Sequence, residues 1–466
     1  MFQENRKPAL ALLCMAQFVL VLDFAIVNVA LPSIQQDLGF TDSALQWVVG
    51  AYALFFGGFL LIGGRLGDIV GRKRMFVGGL VVFTAASLVG GIATEPIMLI
   101  VARALQGLSA AAVSPAVLAL IAAGYPEGKE RAKAMGIFGA VASAGFTGGV
   151  LFGGILTELF GWRAVMFVNV PVGVALVLRA IKRLDADHVT GHGRKIDIPG
   201  AILVTAGMCA LTYALTTATD HGWSAPGVIY PLAGAVVLLI AFFVLQTKSA
   251  NPLVPLSIFK IRGVVAGDSI AFLSGGVMSI STYFLTLYMQ HGLGYSAIQT
   301  GIAFFPQAVV TILAAKFVAD LTGRIGPRPV LIGGAAFLTA GSAWLLTIPV
   351  GGSYWLHVLP GGVLIGLGVT VMMISTAVAA TTGVDGPRMG LASGLYNSLR
   401  QLGVGLLLAI AVTAAVPSTD PQNIGSYHVA FGISTVLSVL IALIAAAVLP
   451  ARKTETPVAE PEKVNA

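Results

Sequence analysis

The sequence carries little charge for its length. Only 10% of its 466 residues are Asp, Glu, Lys or Arg, whereas 57% are hydrophobic. A soluble domain has about 25% charged residues, and a soluble fold of this length could not hide so much apolar surface. The composition therefore excludes an ordinary soluble domain and predicts an all-α membrane protein whose helices are solvated by lipid.

The chain is also poor in features that mark disulfide, metal and nucleotide sites. Its two cysteines, Cys14 and Cys209, lie in apolar runs and predict neither a disulfide framework nor a thiolate metal site. The six histidines lack metal-ligand spacing, and no Gly-x-x-x-x-Gly-Lys-Ser/Thr loop is present, so ATP-driven pumping would need another subunit. We expect no enzyme, no metal and no cofactor.

Apolar runs of membrane-spanning length follow one another along the chain. About 20 apolar residues cross a bilayer, and fourteen such runs are present. The first lacks a convincing small-x-small cleavage site and is interpreted as a retained helix. The predicted cores are 9–31, 46–64, 75–93, 97–120, 134–156, 164–182, 198–217, 227–246, 264–288, 297–318, 329–348, 355–378, 391–414 and 428–449.

The positive charge is distributed as expected for an even number of spans. With the N-terminus inside, 23 of the 27 lysines and arginines fall at inside positions, and only Arg163 falls in an outside loop. This asymmetry satisfies the positive-inside rule. The net charge of +7 therefore indicates orientation in a membrane and not nucleic-acid binding, and we predict that both termini are cytoplasmic.

Two polar breaks divide the chain. The longer break, 184–200, separates six spans from eight, and a weaker break at 246–263 leaves a two-helix unit between them. The polar, proline-containing tail is predicted to be disordered. The predicted division is 1–183 for an N-terminal six-helix bundle, 184–262 for inserted helices seven and eight with linkers, 263–450 for a C-terminal six-helix bundle and 451–466 for the disordered cytoplasmic tail.

A faint internal repeat relates the two bundles. GDIVGRKRMFVGG after the second span aligns with TGRIGPRPVLIGG after the tenth. In this alignment Gly71 corresponds to Gly326, and Lys73 corresponds to Arg328. Repeated halves are typical of secondary transporters, in which the substrate site lies at the repeat interface.

The loop after the second span combines glycines, one acid and several cations. Asp68 can cap the next helix or bind the end of a neighbouring helix. A positive-inside loop would explain the basic residues but not the whole set Gly-x-x-Gly-Asp-x-x-Gly-Arg-Lys. The candidate residues of this loop are Gly64, Gly67, Asp68, Gly71, Arg72 and Arg74.

This loop resembles the cytoplasmic signature of the major facilitator superfamily, and other segments resemble its fourteen-span drug:proton antiporters. The resemblance implies two six-helix bundles plus two inserted helices, in a monomeric unit of the bacterial cytoplasmic membrane. It also implies proton-driven efflux, with the loop latching the inward-closed state. The further segments are LDFAIVNVALP (22–32), RALQG (103–107), GWR (161–163), FVNVP (167–171) and LRQLG (399–403).

The signature of the fifth span departs from the subfamily pattern Gly-Pro-x-x-Gly-Gly. This chain has GVLFGG, with Val150 where proline is expected. The substitution removes a built-in kink. Gly149, Gly153 and Gly154 still allow close helix packing.

Two intramembrane charges of opposite sign are predicted to lie at similar depth. Asp23 lies eight residues before Leu31, about 12 Å from the outer end of helix one, and Arg103 lies about 9 Å into helix four. We interpret Asp23 as the proton-coupling carboxylate and Arg103 as its switch. Burial favours the protonated carboxyl, whereas an approaching cation favours the ionised form. A purely structural ion pair is the alternative.

Other residues are candidates for a second charge pair and for a substrate cavity. Asp268 and Arg400 could meet across the second bundle as a structural, gating or second coupling pair. Interhelical bonding or core packing would explain the cavity candidates equally well. Those candidates are Asn28, Gln106, Tyr283, Tyr288 and Met372.

The sequence is compatible with three functions. The first is a proton-coupled exporter of small lipophilic drugs by alternating access, with the proton gradient as energy source. The second is a dedicated exporter of one endogenous metabolite or antibiotic. The third, from another class, is a channel or scaffold, although no ring of filter residues is visible. The expected partners are membrane lipid, a small lipophilic substrate and protons, without nucleic acid.

Overall fold

The computed structural model describes residues 6–40, 42–126, 129–184, 197–249, 252–295, 297–385, 388–415 and 424–449. This part of the chain is helical and contains no β-strand. The predicted disordered tail, 451–466, lies outside the described residues. The helices are α1 (Arg6–Leu38), α2 (Asp42–Val70), α3 (Arg72–Gly91), α4 (Pro96–Gly124), α5 (Lys129–Phe160), α6 (Arg163–Phe167), α7 (Asn169–Arg183), α8 (Ile198–His221), α9 (Pro226–Lys248), α10 (Arg262–Leu287), α11 (Ala297–Ala303), α12 (Phe305–Ile325), α13 (Pro327–Leu345), α14 (Leu359–Thr381), α15 (Met389–Ala414) and α16 (Ile424–Val448).

Twelve helical segments in the described ranges are long and apolar enough to cross a membrane. One of them, Arg163–Arg183, joins α6 and α7, and another, Gln299–Ile325, joins most of α11 to α12. Helices α5 and α13 occupy two further predicted spans and have 32 and 19 residues, but they are not among the twelve. The predicted total of fourteen spans therefore stays a prediction.

The helices pack in two groups. In the first group, α1 packs along α5, α2 and α3 pack along α4, and α7 contacts α1 and α3. In the second group, α10 packs along α15 and α16, and α14 packs along α12 and α13. Helices α8 and α9 pack against each other, and α8 also contacts α2 and α15, one helix from each group. Cys14 and Cys209 are free cysteines.

The two groups press together at the end of the molecule that carries the α2–α3 turn. A Cβ atom on Gly64 would lie 2.5 Å from the carbonyl oxygen of Gly390 and 2.9 Å from the Cα of Gly394, so only glycine allows α2 and α15 to approach so closely. Gly136 of α5 lies against Ala319 of α12 in the same way. The space between the two groups is therefore closed at this end of the molecule.

The internal repeat is present in the turns that follow α2 and α12. Gly71 has a φ of 116° and Gly326 a φ of 85°. Side chains rarely adopt this region of backbone conformation, and glycine enters it without steric cost. The two glycines aligned by sequence therefore make the same kind of turn in each group.

The two cations aligned by the repeat also have corresponding contacts. Lys73 Nζ donates to the carbonyl oxygen of Leu184 at 2.6 Å, just past the end of α7. Arg328 Nη2 donates to the carbonyl oxygen of Ala446 at 2.6 Å, near the end of α16. Each cation binds terminal carbonyls of the last helix in its group, where basic side chains are favourable.

Candidate functional site

The first group buries one carboxylate among three side-chain donors. Asp23 of α1 is fully buried. Its Oδ2 accepts a hydrogen bond from Arg103 Nη1 at 2.6 Å. Its Oδ1 accepts from Gln106 Nε2 at 3.0 Å and from Asn169 Nδ2 at 2.7 Å. Side chains of α1, α4 and α7 therefore meet at the carboxylate of Asp23.

Helix α2 also holds Arg103. The Arg103 Nε donates to the carbonyl oxygen of Val48 at 3.0 Å, and the guanidinium lies 4.6 Å from the centroid of the Tyr52 ring, in cation–π contact. Its Nη2 has no hydrogen-bond partner among the described residues. A Cβ on Gly107 would collide with the carbonyl of Tyr52, so this glycine lets α2 reach Arg103.

The amide of Gln106 joins the members of this buried network. Its Oε1 accepts from Arg103 Nη1 at 2.8 Å, and its Nε2 donates to Ser87 Oγ of α3 at 2.8 Å as well as to Asp23. A buried charge is tolerated only when it is paired and hydrogen-bonded, and removing one partner of a buried pair costs about 3–5 kcal/mol. The network is therefore stable as a complete set and sensitive to the loss of any charged member.

Sequence reasoning did not identify several members of this network. Asn169 entered only as part of the FVNVP motif, although an isolated amide in an apolar segment usually has an interhelical partner. Ser87, Tyr52 and the carbonyl of Val48 gave no signal. Their roles depend on which face of α2 and α3 points toward α4.

Asp68 joins the two groups at the α2–α3 turn. Its side chain is 2% exposed and forms an ion pair with Arg72 Nη2 at 2.9 Å. Its two oxygens accept from the backbone N–H groups of Gly390 and Leu391, each at 2.9 Å. These N–H groups begin α15, have no partner within the helix and carry partial positive charge. Asp68 therefore caps a helix 322 residues further along the chain. We call this contact the latch.

The other residues of the loop have different surroundings. Gly64 provides the close approach to α15, and Gly71 makes the turn with positive φ. A Cβ on Gly67 would make only an ordinary contact, 3.9 Å from Arg72. Arg74 is exposed and donates to the carbonyl of Val70 at 3.5 Å. The structure therefore requires glycine at two positions of this loop, Gly64 and Gly71.

Two of the three glycines in the fifth-span motif lie against α1. A Cβ on Gly149 would lie 2.8 Å from the carbonyl oxygen of Leu22, and one on Gly153 would lie 2.9 Å from that of Ile26. No atom of a described residue lies within 4 Å of the position that a Cβ on Gly154 would take. Gly149 and Gly153 thus bring α5 against the turn of α1 that carries the buried carboxylate.

Asp268 and Arg400 do not form the predicted direct pair in this conformation. Asp268 of α10 is 3% exposed, and neither of its oxygens has a hydrogen-bond partner among the described residues. Both helices begin at the same end, but Arg400 lies about five residues deeper, roughly 7 Å along the axis. Tyr396 lies one turn before Arg400 on α15 and is buried.

The tyrosines and the methionine that were predicted to line a substrate cavity do not face a common open space. Tyr288 is 1% exposed and its hydroxyl donates to the carbonyl oxygen of Pro349 at 2.7 Å, and Met372 is 2% exposed. Tyr283 is 41% exposed. The side chain of Asn28 lies outside the described residues. A role for these residues in substrate binding stays a prediction.

A second cluster lies at the opposite end of the first group. Asp37, near the end of α1, accepts from Trp162 Nε1 at 2.9 Å and pairs with Arg163 Nη1. Arg163 Nη2 donates to the carbonyl oxygen of Ala93 at 2.9 Å. The hydrogen bonds from Trp162 and then from Arg163 hold the pKa of Asp37 below its usual value. The GWR segment thus ties α1 to α6 and to the end of α3.

A sequence profile described as the Major Facilitator Superfamily matches residues 13–408. The cephamycin export protein CmcT of Amycolatopsis lactamdurans is 39% identical over 97% of this chain and 94% of its own length. The puromycin resistance protein pur8 of Streptomyces alboniger is 40% identical over 89% of this chain and 83% of its own. The lincomycin resistance protein of Streptomyces lincolnensis is 30% identical over 97% and 94%.

Two solved structures share the fold at low sequence identity. The human organic anion transporter MFSD10 superposes with a TM-score of 0.69 at 15% identity, over 95% of this chain and 100% of its own. The proton:xylose symporter XylE superposes with a TM-score of 0.67 at 14% identity, over 97% of each chain. Both likenesses concern the arrangement of the helices alone.

Proposed function

Because the chain belongs to the Major Facilitator Superfamily, we propose that it is a secondary exporter that moves small lipophilic compounds outward as protons move inward. The buried carboxylate of Asp23, with Arg103, Gln106 and Asn169 as donors, carries this proposal. Ionisable groups inside a spanning bundle are costly and usually serve an ion or substrate pathway. The protein is a multi-pass membrane transporter and not an enzyme.

The contacts of Asp23 support a proton switch. With Arg103 against it, the carboxylate is stabilised in the ionised form by a cation and two amide donors. If a helix movement withdraws Arg103, an apolar interior favours the protonated carboxyl. The proton would bind a carboxylate oxygen of Asp23 in one state and leave when Arg103 returns in the other. The proton gradient then drives the cycle without a further cofactor.

We place the α2–α3 turn and both termini on the cytoplasmic side of a bacterial cytoplasmic membrane, because the basic residues concentrate there. In this orientation the latch closes the path to the cytoplasm. We count α5 and α13 as spans, which gives fourteen, since α5 packs along α1 and α12 and α13 packs along α14 and α16. Residues 1–183 and 263–450 would rock as two halves of a monomer around a central site.

The names of the relatives support antibiotics and other drugs as the substrate class. Export of cephamycin and resistance to puromycin are what two of these names state. We transfer to this chain only the general class of small amphipathic compounds. A dedicated exporter of one endogenous antibiotic is the second candidate, favoured by the alignment of the cephamycin export protein over nearly the whole chain. Efflux of several unrelated dyes would distinguish a broad exporter from a dedicated one.

The test is substrate-induced proton movement in proteoliposomes with an imposed pH gradient. Asp23→Asn keeps the size and polarity of the side chain but cannot titrate, so we expect proton-driven efflux to be abolished. Asp23→Glu should retain part of the activity because it retains a carboxylate. Arg103→Lys should recover only part of the loss seen with Arg103→Ala, since lysine keeps the charge but not the planar fork.

Asp37→Asn is the matched control, because Asp37 also lies on α1 and also pairs with an arginine, but at the exposed end of the helix. We expect this variant to transport. Undiminished gradient-driven transport by Asp23→Asn would overturn the coupling mechanism and leave the buried pair a structural one. Efflux that neither saturates nor responds to an uncoupler would instead favour a channel.

A further inference from the structure

A groove opens between α1 and α7 at the end of the molecule that carries the α2–α3 turn. It encloses about 470 Å³. Apolar side chains from both helices line it, together with three cations from the end of α7. We call this the α1–α7 groove, and its lining residues include Leu12, Met15, Leu176, Arg179, Lys182 and Arg183.

The three cations lie on one face of α7 and form no ion pair with a described residue. Lys182 and Arg183 follow Arg179 by three and four residues, the spacing of neighbours on a helix surface. All three side chains are exposed, and none has a hydrogen bond or ion pair with a described residue. Like charges at this spacing destabilise each other. A bound anion would remove that repulsion.

The cations are not needed to neutralise the negative end of α7. Basic residues often occupy the last turn of a helix because its free carbonyl groups carry partial negative charge. Here Lys73 Nζ already donates to the carbonyl oxygens of Ile181 at 3.1 Å and Leu184 at 2.6 Å. The carbonyl groups at this helix end therefore have a cationic partner from another helix.

The second group shows that the fold itself does not require these cations. Its last helix, α16, has a cation from the corresponding turn, Arg328, bound near its end. The last turn of α16 contains no basic residue, whereas that of α7 contains Lys182 and Arg183. Within the last helical turn, basic residues are therefore found in the first group, where the groove lies, and not in the second.

We propose that the α1–α7 groove binds the headgroup of an anionic phospholipid from the adjacent membrane leaflet. The lipid phosphate would accept charge-assisted hydrogen bonds from the arginines, and an acyl chain would lie along the apolar wall. The neighbouring surface of α7 faces the membrane, since Leu178 is 56% exposed and Ile181 is 54% exposed. A lipid can therefore enter the groove from the side. The proposed orientation makes this the cytoplasmic leaflet.

Native mass spectrometry can measure the lipid retained by the full-length protein after release from nanodiscs. The nanodiscs contain phosphatidylcholine with phosphatidylglycerol as the anionic probe. The wild-type protein should retain phosphatidylglycerol in preference to phosphatidylcholine. The combined variant Arg179→Gln, Lys182→Gln and Arg183→Gln should lose that preference by roughly tenfold or more, because each cation near the membrane surface attracts an anionic headgroup.

A matched control removes the same number of exposed cations at the same end of the molecule but outside the groove. It combines Lys248→Gln, Lys260→Gln and Arg262→Gln, three exposed residues between α9 and the start of α10. This control should retain phosphatidylglycerol like the wild type. Met15→Trp keeps every charge but fills the groove, and it should also reduce retention.

Equal losses from the two triple variants would overturn the proposal, because net charge alone would then recruit the lipid. Full retention by the Arg179 triple variant, or by Met15→Trp, would overturn it as well. If the triple variant does not insert into the membrane, Met15→Trp decides the question. The measurement needs no transport, so the lipid proposal and the exporter proposal can fail independently.

Discussion

At the scale of single residues, Asp23 shows how the chain keeps a charge inside a membrane bundle. Arg103 supplies the opposite charge, Gln106 bridges the pair to Ser87, and Asn169 supplies a donor without adding charge. An amide donor stabilises the ionised carboxylate but does not compete for its proton. Asn169 is therefore expected to position Asp23 for coupling and not to titrate itself.

We predict that Asn169→Ala slows proton-driven efflux by roughly tenfold to a hundredfold. The variant loses a hydrogen bond to a charged group, a contribution of about 1.5–3 kcal/mol. Initial rates of substrate-induced proton movement in proteoliposomes measure the effect. Asn397→Ala is the control, because Asn397 is also buried but its described hydrogen bond goes to the carbonyl oxygen of Ser393 in its own helix, at 2.9 Å. Similar losses in both variants would contradict a specific role for Asn169.

The pH dependence of stability is predicted to include a small contribution from Asp37. Its pKa in the folded protein lies below the ordinary value of 3.8 because of the bonds from Trp162 and Arg163. The stabilisation is therefore present above about pH 4 and is lost as the pH falls through the folded-state pKa. The gap in unfolding temperature between wild type and Asp37→Asn should close below about pH 4.

Glu95→Gln is a suitable control for this measurement. Glu95 is exposed and makes no side-chain cap bond to α4, the helix that follows it. We expect no comparable pH-dependent gap for this variant. A gap for Asp37→Asn that persists unchanged in strong acid would show that packing, and not the carboxylate charge, causes the difference.

At the scale of helices, glycine decides which pairs approach closely. Helix α5 lies against α1 because Gly149 and Gly153 have no side chain, although Val150 replaces the proline of the related signature. Helix α5 continues through this position to Phe160. The contact with α1 therefore depends on the small residues of the motif and not on the missing proline.

We predict that Gly149→Ala and Gly153→Ala each destabilise the protein, whereas Gly154→Ala does not. The first two introduce a methyl group within 3 Å of backbone atoms of α1, and overpacking of this kind typically costs about 1–3 kcal/mol. Thermal unfolding in detergent measures stability, and the transport assay measures the consequence for coupling. Equal behaviour of all three variants would contradict the proposed α1–α5 contact.

At the scale of the whole molecule, the latch fixes one of the conformations that a transporter must visit. Asp68 on α2 and the first residues of α15 hold the two groups together, and Gly64 allows the backbones to touch. The negative charge of Asp68 at the N-terminus of α15 stabilises the closed end. Because such a contact is local, it can be broken and remade without unfolding either group.

We predict that Asp68→Asn lowers the population of this closed conformation by roughly tenfold while substrate affinity changes little. An asparagine keeps the shape but loses the charge, one acceptor oxygen and the pair with Arg72, a change of about 1–2 kcal/mol. Spin-label distances between the ends of α2 and α15 measure the population, and equilibrium binding measures affinity. Asp385→Asn is the control, since the ion pair that Asp385 forms with a described residue is an exposed local one, with Arg388 at 3.7 Å. Normal transport with weakened binding would contradict the latch.

The sequence alone determined the features that depend only on the order of residues along the chain. Apolar runs and the scarcity of charge predict membrane helices because lipid replaces water as their solvent. The repeat predicts the paired turns at Gly71 and Gly326. Counting residues along each helix predicts that Asp23 and Arg103 lie at similar depth, because every helical residue advances by the same rise.

Only the tertiary structure decided which of these groups touch. Depth along a helix says nothing about rotation around its axis, and a shift of one residue turns a side chain by about 100°. For this reason the sequence did not show that Asn169 reaches Asp23. Asp268 and Arg400, which lie at different depths, do not pair. The contact of Asp68 with α15 and the groove between α1 and α7 could not be predicted from the sequence either, because both depend on how helices that are distant in the chain pack together.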